Sequence, residues 1–416
     1  MSSVDVLVVG AGPAGSTMAE RLARQGHQVL VIEEHGRVGY PVQCAGLVSR
    51  RVLDLAGTPK IVRRPVHGAT VYSPSLRSIT FRAAEPRAYV IDRAGLDIAL
   101  AEKAAKAGAV FETETRFDGV VATANGSVRA RVTRGGTISG EVEAKLVVGA
   151  DGVASSVARA FRLRRPVEIL PAFEAEFPES PGDPDLVEVY LGNLIAPGLF
   201  GWWIPDGAGG ARVGVASNAD GTSARVYYEH LLAQIARRYG EPLRNPTSYL
   251  VSGIPIGELP RISGPRVVLV GDAAAQPKPL SGGGIFTGMR AAELAAEVVH
   301  GGLIEGDLSA ARLSRYDDAW RLEFGDEFDK ARYLRRLFLK FTDRELEAIL
   351  EALKEAGTTE TIVAFGDIDF PTHVVRRLLR QSPSLLRLLP KAVGALWSGE
   401  GHRAPDLDFV SERVHQ

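Results

Sequence analysis

Val4-Asp5-Val6-Leu7-Val8-Val9-Gly10-Ala11-Gly12-Pro13-Ala14-Gly15 is the stretch on which the reading turns. Val4 to Val9 is a β-branched apolar run, and the glycines after it fit G-x-G-x-x-G. A helical pattern follows to about Gly26, and Val29 to Ile32 is a second apolar run. Strand, tight turn, helix and strand make one βαβ unit. In such a unit Gly10, Gly12, Ala14 and Gly15 leave room for a pyrophosphate to approach the backbone at the positive end of a helix. Glu33 ends the second strand, with Glu34 beside it, where a carboxylate can accept hydrogen bonds from ribose hydroxyls.

Working outward, the chain has 416 residues, enough for two or three domains and a core that needs no disulfide staples. Apolar residues at 45% and charged residues at 24% are ordinary for a globular fold, which excludes disorder and multi-span membrane architecture. The formal charge of −1 gives no global attraction to a nucleic-acid backbone. Cys44 is the single cysteine, which excludes an intrachain disulfide and any metal site built from several thiolates, and fits a reducing, cytoplasmic setting. No apolar run of spanning length and no secretion-type opening is read.

Further along, Ala69 to Tyr89 alternates in short segments, and Leu96 to Ala107 reads as an alanine-rich helix. Residues 110–149 read as antiparallel strands with turns at Asn125-Gly126 and Gly135-Gly136, ending in the buried strand Lys145 to Val148. Residues 165–255 are rich in strand formers with one helix near Tyr227 to Tyr239. Arg266 to Val270 is a strand that meets a glycine-rich turn and a helix running toward His300, and beyond Asp307 the pattern is helical.

Two of these segments point to a flavin. Val147-Val148-Gly149-Ala150-Asp151-Gly152, with Ser155, Ser156 and Arg159, resembles the Asp-Gly fingerprint of flavin hydroxylases. Gly271-Asp272-Ala273-Ala274 after its strand resembles their second fingerprint, which implies that Asp272 meets the ribityl chain of FAD. Pro279-Leu280-Ser281-Gly282-Gly283-Gly284 leads into a helix at Ile285, where free N–H groups and the helix dipole would favour negative charge on a reduced flavin. Asp92-Arg93 matches the superfamily's arginine that reaches the flavin and its phosphates.

The resemblance then narrows. Tyr40-Pro41-Val42-Gln43-Cys44-Ala45-Gly46-Leu47 is similar to the Pro-x-x-Cys segment of the geranylgeranyl reductase family, FAD-dependent proteins within the para-hydroxybenzoate hydroxylase-like flavoprotein superfamily. Phe200-Gly201-Trp202-Trp203-Ile204-Pro205 is similar to its aromatic-x-Trp-x-aromatic-Pro motif, with Ile204 in place of the usual aromatic and Asp206 in place of a frequent lysine. The resemblance runs from Val4 to about Glu297 and implies that Cys44 and Ala45 lie beside the flavin, with Cys44 as a proton donor, since a free thiol near neutrality carries a proton to give. Tyr40 and His67 are other donors by residue type. Trp202 and Trp203 point to opposite faces of their strand, so one can line a pocket with Tyr40, Phe200 and Pro205 while the other packs in the core.

These observations predict an α/β (α+β overall) fold: a Rossmann-type FAD-binding domain of the glutathione reductase/para-hydroxybenzoate hydroxylase type from 1–65, 86–164 and 256–305. An antiparallel-sheet substrate domain takes 66–85 and 165–255, and 306–416 is a helical C-terminal region. The resemblance implies a reductase that hydrogenates carbon–carbon double bonds of geranylgeranyl chains in prenyl lipids, archaeal-type by expectation, or in geranylgeranyl diphosphate. An isolated alkene lacks a polarising carbonyl, so hydride delivery must be matched by a proton and an aromatic wall. With no second G-x-G-x-x-G, the electron donor is external: a ferredoxin, NAD(P)H or a reduced flavin. Three other readings stay open at this point, namely an aromatic monooxygenase using NAD(P)H and oxygen, a flavin halogenase, and a prenyl-lipid-binding flavoprotein without catalysis. The stretch 373–397, with His373, Arg376, Arg377, Arg380, Arg387 and Lys391 among leucines and Trp397, suggests peripheral contact with the cytoplasmic membrane face.

Overall fold

The computed structural model describes residues 2–381 apart from positions 125, 167, 180, 219 and 356. Its first sheet grows around the βαβ unit. Ser2–Val9 lies between Val29–Ile32 and Ile138–Gly149, parallel to both, and Val267–Leu269 and Val110–Glu112 extend the parallel set on either side. Val6, Leu7 and Val8 are fully buried, as expected for a parallel strand covered on both faces. Helix Pro13–Arg24 packs against Ile285–Glu305 and Arg93–Lys106.

Two local outcomes differ from the sequence expectation. Val110–Glu112 joins the parallel sheet beside Val29–Ile32 rather than the antiparallel group, because it follows the crossover helix Arg93–Lys106. The antiparallel group is Thr115–Ala124, Ser127–Arg134 and Ile138–Gly149. Asn125 of the expected turn lies outside the described residues, while Gly126 takes φ +81°. The crossover helix also starts earlier than expected, at Arg93, because Asp92 caps it by accepting a hydrogen bond from the Gly95 N–H at 3.0 Å.

A second, seven-stranded sheet runs in the order Ser248–Ile256, Glu168–Phe177, Ala211–Ala216, Phe200–Pro205, Leu186–Tyr190, Gly68–Tyr72, Ser78–Arg82. All its pairs are antiparallel except Leu186–Tyr190 with Gly68–Tyr72. Helix Ala224–Tyr239 covers one face with a core that includes Trp203, Val213, Val215, Tyr228 and Leu231. The other face, carrying Trp202 and Ile204, meets Ala45, Leu47 and Val90 on a small sheet of Leu47–Val48, Ala88–Ile91 and Val62–Val66. A substrate held between the sheets would therefore meet the second face.

Helices Ala310–Phe338, Asp343–Glu355, Thr359–Phe365 and Thr372–Gln381 complete the described chain. Of the basic stretch 373–397, only the part to Gln381 is described; Arg387, Lys391 and Trp397 lie outside the described residues. Among the described residues no helix is long and apolar enough to cross a membrane.

Candidate active site

The three glycines of the first turn do different work. Gly10 adopts φ +101°, and a Cβ there would lie 2.8 Å from the Ala150 carbonyl carbon. A Cβ on Gly15 would collide with the Gly10 carbonyl oxygen, so these two glycines let strand, helix and the Ala150 turn close on one another. Gly12 caps the helix from an extended conformation, and a Cβ on it would meet no atom of the described residues within 4 Å. The open space therefore lies over Gly12, at the helix end whose first-turn N–H groups have no intrahelical acceptor. Beside it Glu33 accepts from the Ala11 N–H at 2.9 Å and pairs with the His35 ring, whereas Glu34 is exposed.

Asp151 has a local task. Its carboxylate accepts from Ser155 Oγ, Ser156 N and Oγ, and Val157 N, all within 3.0 Å, which fixes the turn into helix Ser156–Ala160. The group left facing open space there is Gly152, at φ +72° with no atom of the described residues within 4 Å of a Cβ.

The remaining motifs converge on Arg93. Its guanidinium pairs with Asp97 one helical turn on, faces Cys44, and interacts with Asp272. Burial pushes the Asp272 carboxyl up to about 6, opposed by the charge of Arg93. Asp272 in turn adjoins the glycine turn, where a Cβ on Gly284 would lie 3.1 Å from Asp272 Oδ1. Gly284 starts helix Ile285–Glu305 without a side-chain cap, and Gly282 takes φ +71° against Ile254. Pro279 precedes that turn, and Gly283 lies against Lys278.

Beyond the Cys44 loop, Trp202 packs edge-on with Phe200 and shares one apolar cluster with Ala45, Leu47 and Ile368, while Trp203 is only 1% exposed and sits behind the sheet against Tyr239. Pro205 is buried at the strand end; Tyr40 is 43% exposed with Arg37 stacked 4.4 Å from its ring centre. His67 turns its Nδ1 to the Ala83 and Ala84 carbonyls.

Comparison with known proteins agrees with this geometry. Residues 3–324 match the family model described as FAD binding domain. The digeranylgeranylglycerophospholipid reductase of Methanosarcina acetivorans is 33% identical, over 84% of this chain and 88% of that protein. Digeranylgeranylglycerophospholipid reductase 1 of Methanothermobacter thermautotrophicus is also 33% identical, over 94% of this chain and 98% of that one. The chain belongs to the FAD-binding digeranylgeranylglycerophospholipid reductase family. A solved structure from Thermoplasma acidophilum, a geranylgeranyl bacteriochlorophyll reductase-like protein, superposes with a TM-score of 0.81 at 26% identity, covering 94% of this chain and all of that one.

The residues present fit the family's FAD. Among the described residues Arg93 Nε and Ser281 Oγ are buried with no hydrogen-bond partner, and both belong to the segments that converge at Asp272 and the glycine turn. A polar cofactor supplies the acceptors such groups need. The open space over Gly12 and Gly152 would take its phosphates.

Four charged residues beside these segments were not singled out from the sequence. Arg212, on strand Ala211–Ala216, donates to the Ala45 carbonyl at 2.6 Å and so ties the second sheet to the Cys44 loop. Glu174 accepts from Trp202 Nε1 at 2.6 Å. Lys278 and Asp369 form a buried ion pair at 2.9 Å, joining the glycine turn to a C-terminal segment whose Ile368 touches the Trp202 cluster. An arginine inside the apolar strand Ala211–Ala216 was the one available signal.

Proposed function

We propose that this chain hydrogenates the carbon–carbon double bonds of geranylgeranyl chains, carried on an archaeal-type glycerophospholipid or as the diphosphate. The observation that carries the reading is that Arg93 gathers Cys44 and Asp272 about itself, while the Cys44 loop, through Ala45 and Leu47, meets the Trp202 face of the second sheet. Reduced FAD, when bound, supplies the hydride. Gly10, Gly12, Ala14, Gly15, Glu33 and Gly152 would hold its adenosine diphosphate half, with Arg93, Asp272 and the turn Pro279–Ile285 at the other. The helix end at Gly284 favours negative charge beside it.

Each substrate carbon has its own requirement. Cys44 Sγ, which accepts from the Gly46 N–H at 3.4 Å, is the group placed to give a proton to the alkene. Trp202 and Phe200 present an aromatic wall to the carbon that becomes electron-poor, and the aliphatic lining from Leu47, Ile204 and Ile368 excludes water. An isoprenoid gains roughly 25 cal/mol for each Å² it buries there. Residues 1–65, 86–164 and 256–305 form the cofactor domain in this reading, and the second sheet the substrate domain. The lipid brings the protein to the cytoplasmic membrane face, where the basic helix Thr372–Gln381 rests, and an external donor supplies electrons.

Rapid mixing tests the reading. The protein, reduced anaerobically with dithionite and freed of excess reagent, is mixed with digeranylgeranylglycerophospholipid in detergent. Return of the yellow flavin absorbance supports electron transfer to the lipid; a flavin that stays bleached until oxygen is admitted contradicts it.

A further inference from the structure

Trp202 is held in place more firmly than a pocket wall requires. Its strand position faces Gly214 on one neighbour, and Gly214 faces Glu174 on the next, so the three lie in one row across the sheet. A Cβ on Gly214 would lie 2.5 Å from Trp202 Cζ2 and 2.9 Å from Glu174 Cβ. The glycine is a notch through which the indole crosses a whole strand. At its far end Nε1 donates to Glu174 Oε2 at 2.6 Å, and Glu174 is only 3% exposed.

Resting on the reductase reading above, we propose that Glu174 is the positioning residue for Trp202. It fixes the rotation of the indole and, when ionised, makes the ring face presented to the reacting alkene richer in electrons. A carboxylate accepting from the indole N–H is a charge-assisted bond that polarises the donor, and a more negative ring face attracts developing positive charge more strongly. The ionisable and charged neighbours of Glu174 are Arg212, which favours the carboxylate, and Glu176, which opposes it; the Tyr228 hydroxyl lies within its field from the covering helix. Burial dominates and pushes the Glu174 carboxyl up to about 7, so the change of charge falls within the working range of pH.

Glu174→Gln keeps the shape and an acceptor oxygen but removes the charge. In the flavin-loaded protein labelled with ¹⁵N at its indoles, the Trp202 Nε1–H resonance, assigned with Trp202→Phe, should move with pH through a midpoint near 7 in the wild type and stay still in Glu174→Gln. The wild-type kcat for the geranylgeranyl lipid should exceed that of Glu174→Gln about tenfold at pH ~8.5 and converge with it at pH ~5.5, with KM unchanged. A Trp202 resonance that ignores pH, or a kcat ratio equal at both ends, overturns the proposal. If the resonance titrates only in the wild type while neither protein reduces any geranylgeranyl lipid, the hydrogen bond stands and the reductase reading falls.

Discussion

Gly12→Val and Gly15→Ala should fail in opposite ways, although both disturb the same six-residue turn. At Gly12 the added side chain enters space with no atom of the described residues within 4 Å, from an extended backbone that valine adopts easily. Losing glycine at the helix cap costs about 1 kcal/mol, and the stiffer unfolded chain returns about 0.4–1 kcal/mol, so the apo protein should melt within about two degrees of the wild type. The same methyl groups stand between the helix N–H groups and a phosphate. Two charge-assisted hydrogen bonds at about 1.5–3 kcal/mol each are lost, which weakens FAD binding by at least a hundredfold. At Gly15 even one methyl overlaps the Gly10 carbonyl oxygen and comes within 3.1 Å of Ala150 Cβ. Backbone cannot rotate away, so the helix must shift from the sheet at a cost of about 3 kcal/mol or more. Flavin absorbance after purification and apo-protein melting separate the two. A Gly12→Val protein that stays fully yellow, or whose apo form melts as low as Gly15→Ala, would refute the assignment of the open space to phosphate.

Three other expectations follow from single contacts. Asp369→Leu leaves the buried Lys278 ammonium the Ile368 carbonyl as its one remaining acceptor among the described residues and should destabilise the protein by about 3–5 kcal/mol in denaturant titration, while adding Lys278→Met should recover most of that loss. Between about 4.5 and 7 the folded chain keeps a proton on Glu174 that the unfolded chain has released, so stability falls as pH rises through that window, by about 3 kcal/mol in all. Denaturation at both ends of the window should show Glu174→Gln gaining on the wild type at high pH; equal differences at both ends would deny the buried carboxyl. Cys44→Ser should bind FAD normally and slow lipid reduction at least tenfold, and a wild-type rate in that variant would remove the thiol from the chemistry.

The βαβ opening was legible because its signal is local: a run of valines, glycines at fixed spacing and an acid at the next strand end. Period two showed that Trp202 and Trp203 face opposite ways, but which of them meets the pocket depends on where helix Ala224–Tyr239 docks, and that helix follows by some twenty residues. Buried charges were the hardest to see. Lys278 and Asp369 are 91 positions apart, so each looks like a solvated surface residue until the chain folds, and Arg212, though marked by its apolar strand, reaches a carbonyl 167 positions away. Asp151 was recognised as part of a fingerprint, yet its carboxylate caps a helix, a use that Ser155 and Ser156 close behind it signalled. Glu174 carried no mark, because the glycine notch that joins it to Trp202 lies on a third strand.

The most direct test is the mass of the lipid after reaction. The flavin-loaded protein, kept reduced with dithionite without oxygen, is incubated with digeranylgeranylglycerophospholipid, and the extracted lipid is weighed by mass spectrometry. The account predicts a gain of two hydrogens for every double bond reached. An unchanged mass, with the flavin bound and reduced throughout, would contradict it.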